Sequence, residues 1–230
     1  MQLFLTIISL IGIGNNRRAV KIILIRHGET FWNLEDKIQG LHDSPLTPFG
    51  VKQAEKTAER LKNEPIDMLL SSTLGRAIHT AEIIRDSING LHGKEILTFP
   101  ELNERDYGIL TGMTKQEVAR RKLLPKWYLF RYFFPPKDGE SVIRQNKRIR
   151  NFLTNILKEY PGKDILIVTH AGPLKMIVAL LLKKNIKWMM RFRPLSGSVT
   201  ILVNEGNKWK ERLLNDVSHL HSLRSLFELK

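Results

Sequence analysis

Short, nearly continuous apolar runs alternate along the chain with longer stretches in which apolar positions recur every three or four residues. Val20–Ile25 (VKIILI) and Asp164–Thr169 (DILIVT) have the pattern of strands buried on both faces of a sheet. Ile66–Leu70 and Ile96–Phe99 read as two further short strands. Thr47–Asn63 predicts a helix, with Thr47 as N-cap, Pro48 at the first helical position, and Glu and Lys on the solvent face. Thr73–Ile88 predicts a second helix. Ser141–Tyr160 predicts a long one stopped by Pro161-Gly162, and another runs from the end of DILIVT to about Leu182. Ser198–Val203 and Lys208–Leu213 flank Asn204–Asn207 as a terminal hairpin. This alternation is that of an α/β fold with a largely parallel sheet.

No repeat or low-complexity linker divides the chain, so residues 20–215 read as one domain. Within it, residues 113–140 hold a basic, aromatic, proline-broken stretch (RRKLLPKWYLFRYFFPP) that predicts an irregular helical cap over one face. Residues 216–230 read as a C-terminal tail, polar, basic and loosely ordered from Ser218 to Lys230. The opening MQLFLTIISLIGIG is too short to span a bilayer, and its basic residues follow the apolar run instead of preceding it. Residues 1–19 therefore read as a leader or a start-site artefact, with a weak membrane anchor as the alternative. The expected setting is cytoplasmic, without stable membrane insertion.

At 42% hydrophobic residues the chain can bury a core without staples, and its lack of cysteine excludes disulfides, thiol nucleophiles and zinc–thiolate sites. The formal charge of +14 favours an anionic partner: a phosphorylated metabolite, nucleic acid or an anionic membrane surface. No RGG-like tract, RNA-binding signature or zinc finger supports nucleic acid.

Strand Val20–Ile25 runs directly into Arg26-His27-Gly28-Glu29-Thr30, and strand Asp164–Thr169 into His170-Ala171-Gly172-Pro173. Open α/β sheets bind ligands at the carboxyl ends of their strands, so two strands deliver one histidine each to the same edge. Metal binding is one use for such a pair, but an adjacent arginine repels a cation, and no HxH, HExxH or aspartate-rich cluster is present. Phosphate chemistry fits better: guanidinium forks match phosphate oxygens, and a neutral imidazole is a competent nucleophile. Ser71-Ser72-Thr73-Leu74-Gly75-Arg76-Ala77 adds a strand-to-helix turn whose helix N-terminus and Arg76 both suit an oxyanion.

These segments resemble the histidine phosphatase superfamily, which includes cofactor-dependent phosphoglycerate mutase. Five blocks match in the family's order: Arg26–Thr30 with Asn33; Gln39-Gly40, Asp43, Pro45-Leu46-Thr47, Gly50 and Gln53-Ala54; Ser71-Ser72, Arg76-Ala77 and Thr80-Ala81; Leu102-Asn103-Glu104, Tyr107-Gly108 and Gly112; and His170 with Gly172-Pro173. The resemblance implies a three-layer α/β/α sandwich around a mostly parallel central sheet. It implies His27 as the nucleophile, with Arg26, Arg76 and His170 surrounding the phosphate. Thr30, Asn33, Gln39, Gly40 and Ala171 would add phosphate or substrate contacts. Glu104 would act as general acid and then base, in preference to the nearby Glu101. Tyr107 and Lys115 are further substrate-contact candidates. Glu29 and Asp43 read equally well as loop ion-pair or capping residues, and His42, His79 and His92 have no supporting context. Neither metal nor cofactor is implied.

A mutase is the alternative activity, because Leu102-Asn103-Glu104-Arg105, Tyr107 and Lys115 reproduce the mutase form of the fourth block. Against it, the mutase insertion before the Glu-Ser pair is missing, since Pro135-Pro136 is followed at once by Asp138-Gly139-Glu140-Ser141. The loop His170-Ala171-Gly172-Pro173 is also nearer the phosphatase form, although Ala171 stands where the family usually has glycine. The expected partner is a small phosphorylated substrate. Arg120, Arg121, Lys126 and Arg131 suggest a second anionic group on it. A homodimer through a sheet edge or the C-terminal segment is left open.

Overall fold

The computed structural model describes residues 19–121, 135–206 and 208–223. The expected leader, most of the basic cap stretch and the end of the tail lie outside these residues. Six strands form one sheet: β1 (Val20–Arg26), β2 (Met68–Ser71), β3 (Ile96–Thr98), β4 (Ile165–Thr169), β5 (Val199–Glu205) and β6 (Lys208–Asp216). Their order is β3-β2-β4-β1-β5-β6. The pairs β1–β4, β2–β4 and β2–β3 are parallel, while β5 runs antiparallel to both β1 and β6.

Alternation along the strands builds both hydrophobic layers. Ile22 and Leu24 of β1, with Ile165 and Ile167 of β4, face one side. There they meet α5 (Val142–Glu159), whose Ile149, Phe152, Leu153 and Ile156 form a stripe at helical spacing, and α6 (Ala171–Leu181). Ile23 and Ile25, with Leu166 and Val168, face the opposite side. They pack on α2 (Pro48–Leu61) and α3 (Gly75–Ser87). Helices on both faces of a mostly parallel sheet make the expected three-layer sandwich.

Thr47 caps α2 by accepting from the Gly50 N–H at 2.9 Å, with Pro48 in the first turn. Two short helices were not foreseen, α1 (Phe31–Leu34) and α7 (Ile186–Arg191), while α4 (Lys115–Arg120) falls at the start of the expected helical cap stretch. The expectation of a loose tail from Ser218 is corrected over its first residues. A 3-10 turn at Ser218–Leu220 buries Leu220, Leu223 follows it into the protein, and His219 Nε2 lies 3.1 Å from the Gly197 carbonyl. Two leucines three apart supply the apolar anchor that the polar composition conceals.

Candidate active site

Parallel pairing brings the two histidines together. Arg26 lies opposite Thr169 in the β1–β4 register, so the residues that follow them leave the sheet side by side, and the His27 N–H donates to the Thr169 carbonyl at 3.0 Å. The ring centroids of His27 and His170 are 5.1 Å apart. His27 Nδ1 lies 2.7 Å from the Gly28 carbonyl, which can only accept, so the proton resides on Nδ1 and the Nε2 lone pair is left for chemistry. Burial, then the charges of Arg76 and Arg26, hold the His27 imidazole well below its usual pKa, opposed by the bond to Gly28. It is therefore neutral at physiological pH. His170 is pushed in the same direction, first by burial and then by Arg76, His27 and Arg26.

Ser72 Oγ accepts from the Leu74 N–H at 3.3 Å and lies 2.7 Å from His170 Nε2. With Ser72 donating to Nε2, the neutral imidazole of His170 carries its proton on Nδ1. That Nδ1, Arg26 Nε and Arg76 Nε are all buried and have no hydrogen-bond partner among the described residues. Three donors, each on an electrostatic neighbour of His27, are thus unsatisfied.

Arg76 is 2% exposed and is aimed by its neighbours. Its Nη1 donates to the His42 carbonyl and to Asp43 Oδ1, both at 2.8 Å, and its Nη2 donates to the Gly40 carbonyl at 2.9 Å. Three of the five guanidinium N–H groups are thereby spent. The remaining Nε–H and one Nη2–H lie along one edge, in the arrangement that meets two oxygens of a phosphate. Gly40 adopts φ +56°, which turns its carbonyl to Arg76 at little steric cost. Asp43 also accepts from the Arg76 backbone N–H at 3.3 Å, so the α3 N-terminus, expected to bind an oxyanion, is taken by this carboxylate instead. The ion-pair reading of Asp43 is the one realised. Arg26 Nη1 donates to the Pro194 carbonyl at 2.9 Å.

Glu104 comes from the loop after β3. Its Oε1 accepts from the Arg105 N–H at 2.8 Å, and its Oε2 from the Gly172 N–H at 3.2 Å, in the first turn of α6. A Cβ on Gly172 would stand 2.2 Å from Glu104 Oε1 and 2.7 Å from Gln145 Nε2, so any larger residue there must displace the ends of those two side chains. Ala171, by contrast, opens α6 without a positive φ, so a methyl group is compatible with the backbone there.

A cavity of about 970 Å³ adjoins these groups, although His170, fully buried, is not part of its lining. Arg26, His27, Asn33, Gln39, Gly40, Arg76, Glu104, Tyr107, Lys115 and Ala171 all line it. Glu101 does not; its backbone carbonyl accepts from Arg148. Thr30 does not line it either: its fully buried hydroxyl caps α1, receives Gln39 Nε2 at 2.6 Å and meets Asn33 Oδ1 at 3.1 Å, so it shapes the loop that presents Asn33 and Gln39. Glu29 accepts from the Thr47 hydroxyl at 2.9 Å while lining the cavity. Lys115 is paired with Asp36. Arg120 and Arg121 are exposed and stand off the cavity; its own additional cations are Lys37, Lys175 and Arg193. Lys126 and Arg131 lie outside the described residues. Sequence reasoning missed Gln145, Arg148, Lys175 and Arg193, since none of them sits in a motif that sets it apart from the polar residues around it.

Comparison with known proteins agrees with this geometry. The model of the histidine phosphatase superfamily (branch 1) matches residues 22–217. Phosphoglycerate mutase-like protein 4 of Arabidopsis thaliana is 34% identical over 87% of this chain and 86% of its own length. The metal-independent phosphoserine phosphatase of the same plant is 34% identical over 89% of this chain and 85% of its own. The crystal structure of Entamoeba histolytica phosphoserine phosphatase in complex with 3-phosphoglyceric acid superposes with a TM-score of 0.77 at 30% identity, covering 87% of this chain and 99% of that one. With its two histidines, buried arginines and loop carboxylate in place, the chain belongs to the histidine phosphatase superfamily.

Proposed function

We propose that the protein is a metal-independent phosphomonoester hydrolase that works through a phosphohistidine on His27, with a small phosphorylated metabolite as substrate. The observation that carries this reading is the set of three buried, unpartnered donors on Arg26, Arg76 and His170 around a neutral His27. A phosphoryl group satisfies all three at once, and they stabilise charge on its equatorial oxygens during transfer.

In the first half-reaction the Nε2 lone pair attacks phosphorus, the bond to the leaving oxygen breaks, and Glu104 gives that oxygen its proton. In the second, the Glu104 carboxylate takes a proton from water as the water oxygen attacks. The N–P bond then breaks, its electron pair returns to Nε2, and inorganic phosphate leaves. The guanidinium groups supply the positive charge that a metal gives other phosphatases. Lys37, Lys115, Lys175 and Arg193 in the cavity wall favour a leaving group with a second anionic group. Substrates of this kind suit a cytoplasmic setting.

The compact Asp138-Gly139-Glu140-Ser141 connection and the HAGP loop favour hydrolysis over a bisphosphoglycerate-dependent mutase. The test is phosphate release from 4-nitrophenyl phosphate and a phosphometabolite panel in EDTA, for wild type and His27→Ala. 3-Phosphoglycerate is included with and without 2,3-bisphosphoglycerate and read for isomerisation. Hydrolysis that vanishes with His27 supports the reading. Isomerisation with little hydrolysis, or loss of rate in EDTA, overturns it.

A further inference from the structure

Arg148 projects from α5 onto the outer side of the loop that carries Glu104. Its Nε and Nη2 donate to Glu140 Oε1 at 3.0 Å and Oε2 at 2.8 Å, a two-pronged charged contact that fixes the guanidinium plane. The remaining nitrogen, Nη1, donates to the carbonyl of Glu101 and, at 3.0 Å, to that of Asn103. The Asn103 carbonyl belongs to the peptide unit whose nitrogen is that of Glu104. Holding this plane limits the rotation that would swing the Glu104 side chain. On the far side of Glu104 the same pair takes a second grip, because the Glu140 N–H donates to the Asp106 carbonyl at 2.9 Å. The Glu104 carboxylate accepts from two backbone groups, the Arg105 N–H at 2.8 Å and the Gly172 N–H at 3.2 Å. Its aim therefore depends on the backbone behind it.

We propose that the Arg148–Glu140 pair is a positioning device for the proton donor: it clasps residues 101, 103 and 106 and so sets the distance from Glu104 to the leaving oxygen. The proposal rests on the reading of Glu104 as general acid. The pair is only partly buried, with side-chain exposures of 21% and 16%, so solvent can replace its bonds when it is cut and the fold need not be lost.

A purely structural role would depress every reaction alike, whereas misplacing a proton donor harms only reactions that need the proton. The experiment measures kcat/KM, which reports steps through phosphorylation of His27, for aryl phosphates from phenyl to 2,4-dinitrophenyl phosphate. Wild type, Glu104→Gln, Arg148→Met and Arg148→Lys are compared. Glu104→Gln is expected to lose about 100-fold on phenyl phosphate and little on the dinitrophenyl ester, which leaves without a proton. Arg148→Met is expected to follow the same slope at about 10- to 100-fold on phenyl phosphate, with partial recovery in added guanidinium chloride. Arg148→Lys, which cannot reproduce the fork, should fall between, and it serves the comparison if the Met variant does not fold. An equal loss across the series in the Arg148 variants, or none, with a steep slope in Glu104→Gln, overturns the positioning role alone. A flat Glu104→Gln series overturns the acid assignment and the proposal with it.

Discussion

Replacing Gly172 by alanine puts Glu104, the proposed general acid, under a controlled displacement. A Cβ there would lie 2.2 Å from Glu104 Oε1, and ordinary van der Waals contact begins near 3.4 Å, so the carboxylate, the end of a flexible side chain, must retreat by about 1.2 Å or turn aside. The 3.2 Å bond from the Gly172 N–H to Oε2 is stretched or lost in either case. A misplacement of about 1 Å at a reacting group costs about 100-fold in rate, or about 2.7 kcal/mol of barrier. Because the atoms met are the ends of flexible side chains, the cost to the fold should be small, about 1 kcal/mol or less, a fall in melting temperature of a few degrees at most. The assay is kcat on an alkyl phosphate, together with the inhibition constant of inorganic phosphate and a thermal melt. The expected result is a large loss in kcat with phosphate affinity changed less than about threefold, since the donors on Arg26, Arg76 and His170 stay where they are. Wild-type kcat in a folded Gly172→Ala protein would refute the placement of Glu104 as proton donor. Ala171→Gly, one residue earlier, should leave kcat nearly unchanged.

Asp43→Asn removes the charged partner of Arg76 and should raise KM about tenfold, the worth of one charge-assisted hydrogen bond; an unchanged KM would mean that the three carbonyl and carboxylate contacts are redundant. Gly50→Ala sets a Cβ 2.0 Å from the Glu29 carbonyl, backbone against backbone, and should cost about 3 kcal/mol or more in urea unfolding. Stability should fall as pH drops from 6.5 towards 5. The folded-state pKa values of His27 and His170 are depressed, so the unfolded chain binds protons there that the folded chain refuses, at about 2.7 kcal/mol per pH unit for two groups once pH is well below 6.5. A urea midpoint that stays flat across that window would contradict the buried neutral pair.

The elements that repeat a physical signal were legible in the sequence. VKIILI and DILIVT are buried on both faces and could be little other than interior strands, and Thr47-Pro48 marked its helix start to within a residue. Strand ends carrying His27 and His170 placed both histidines at one edge before any geometry was known. What stayed hidden depends on pairs distant in sequence. Arg148 reads as one more cation on an amphipathic helix, and only the packing of α5 shows that it holds the loop of Glu104. Asp43 gave no sign of which arginine it would meet 33 positions later. Gly172 enters the sequence reading only as part of the HAGP match, whereas the structure sets the Glu104 and Gln145 side-chain ends against its α-carbon. Lys175 and Arg193 reach the cavity through tertiary placement alone, while Arg120 and Arg121, set in an obviously basic run, do not reach it.

The His27 N–H bond to the Thr169 carbonyl places the nucleophile inside the hydrogen-bonded ladder of the two central strands. Its amide should exchange with solvent deuterium only on global unfolding, among the slowest in the chain. Glu104 sits on a segment without regular structure, closed by side chains, whose amides should exchange through small local openings. On the proposed mechanism, the half of the reaction that forms and breaks the P–N bond would fall to the stiffest part of the fold, and the half that moves protons to a part that can breathe. Substitutions in that loop can retune the leaving group served without disturbing the phosphoryl acceptor, which gives one scaffold room for many substrates.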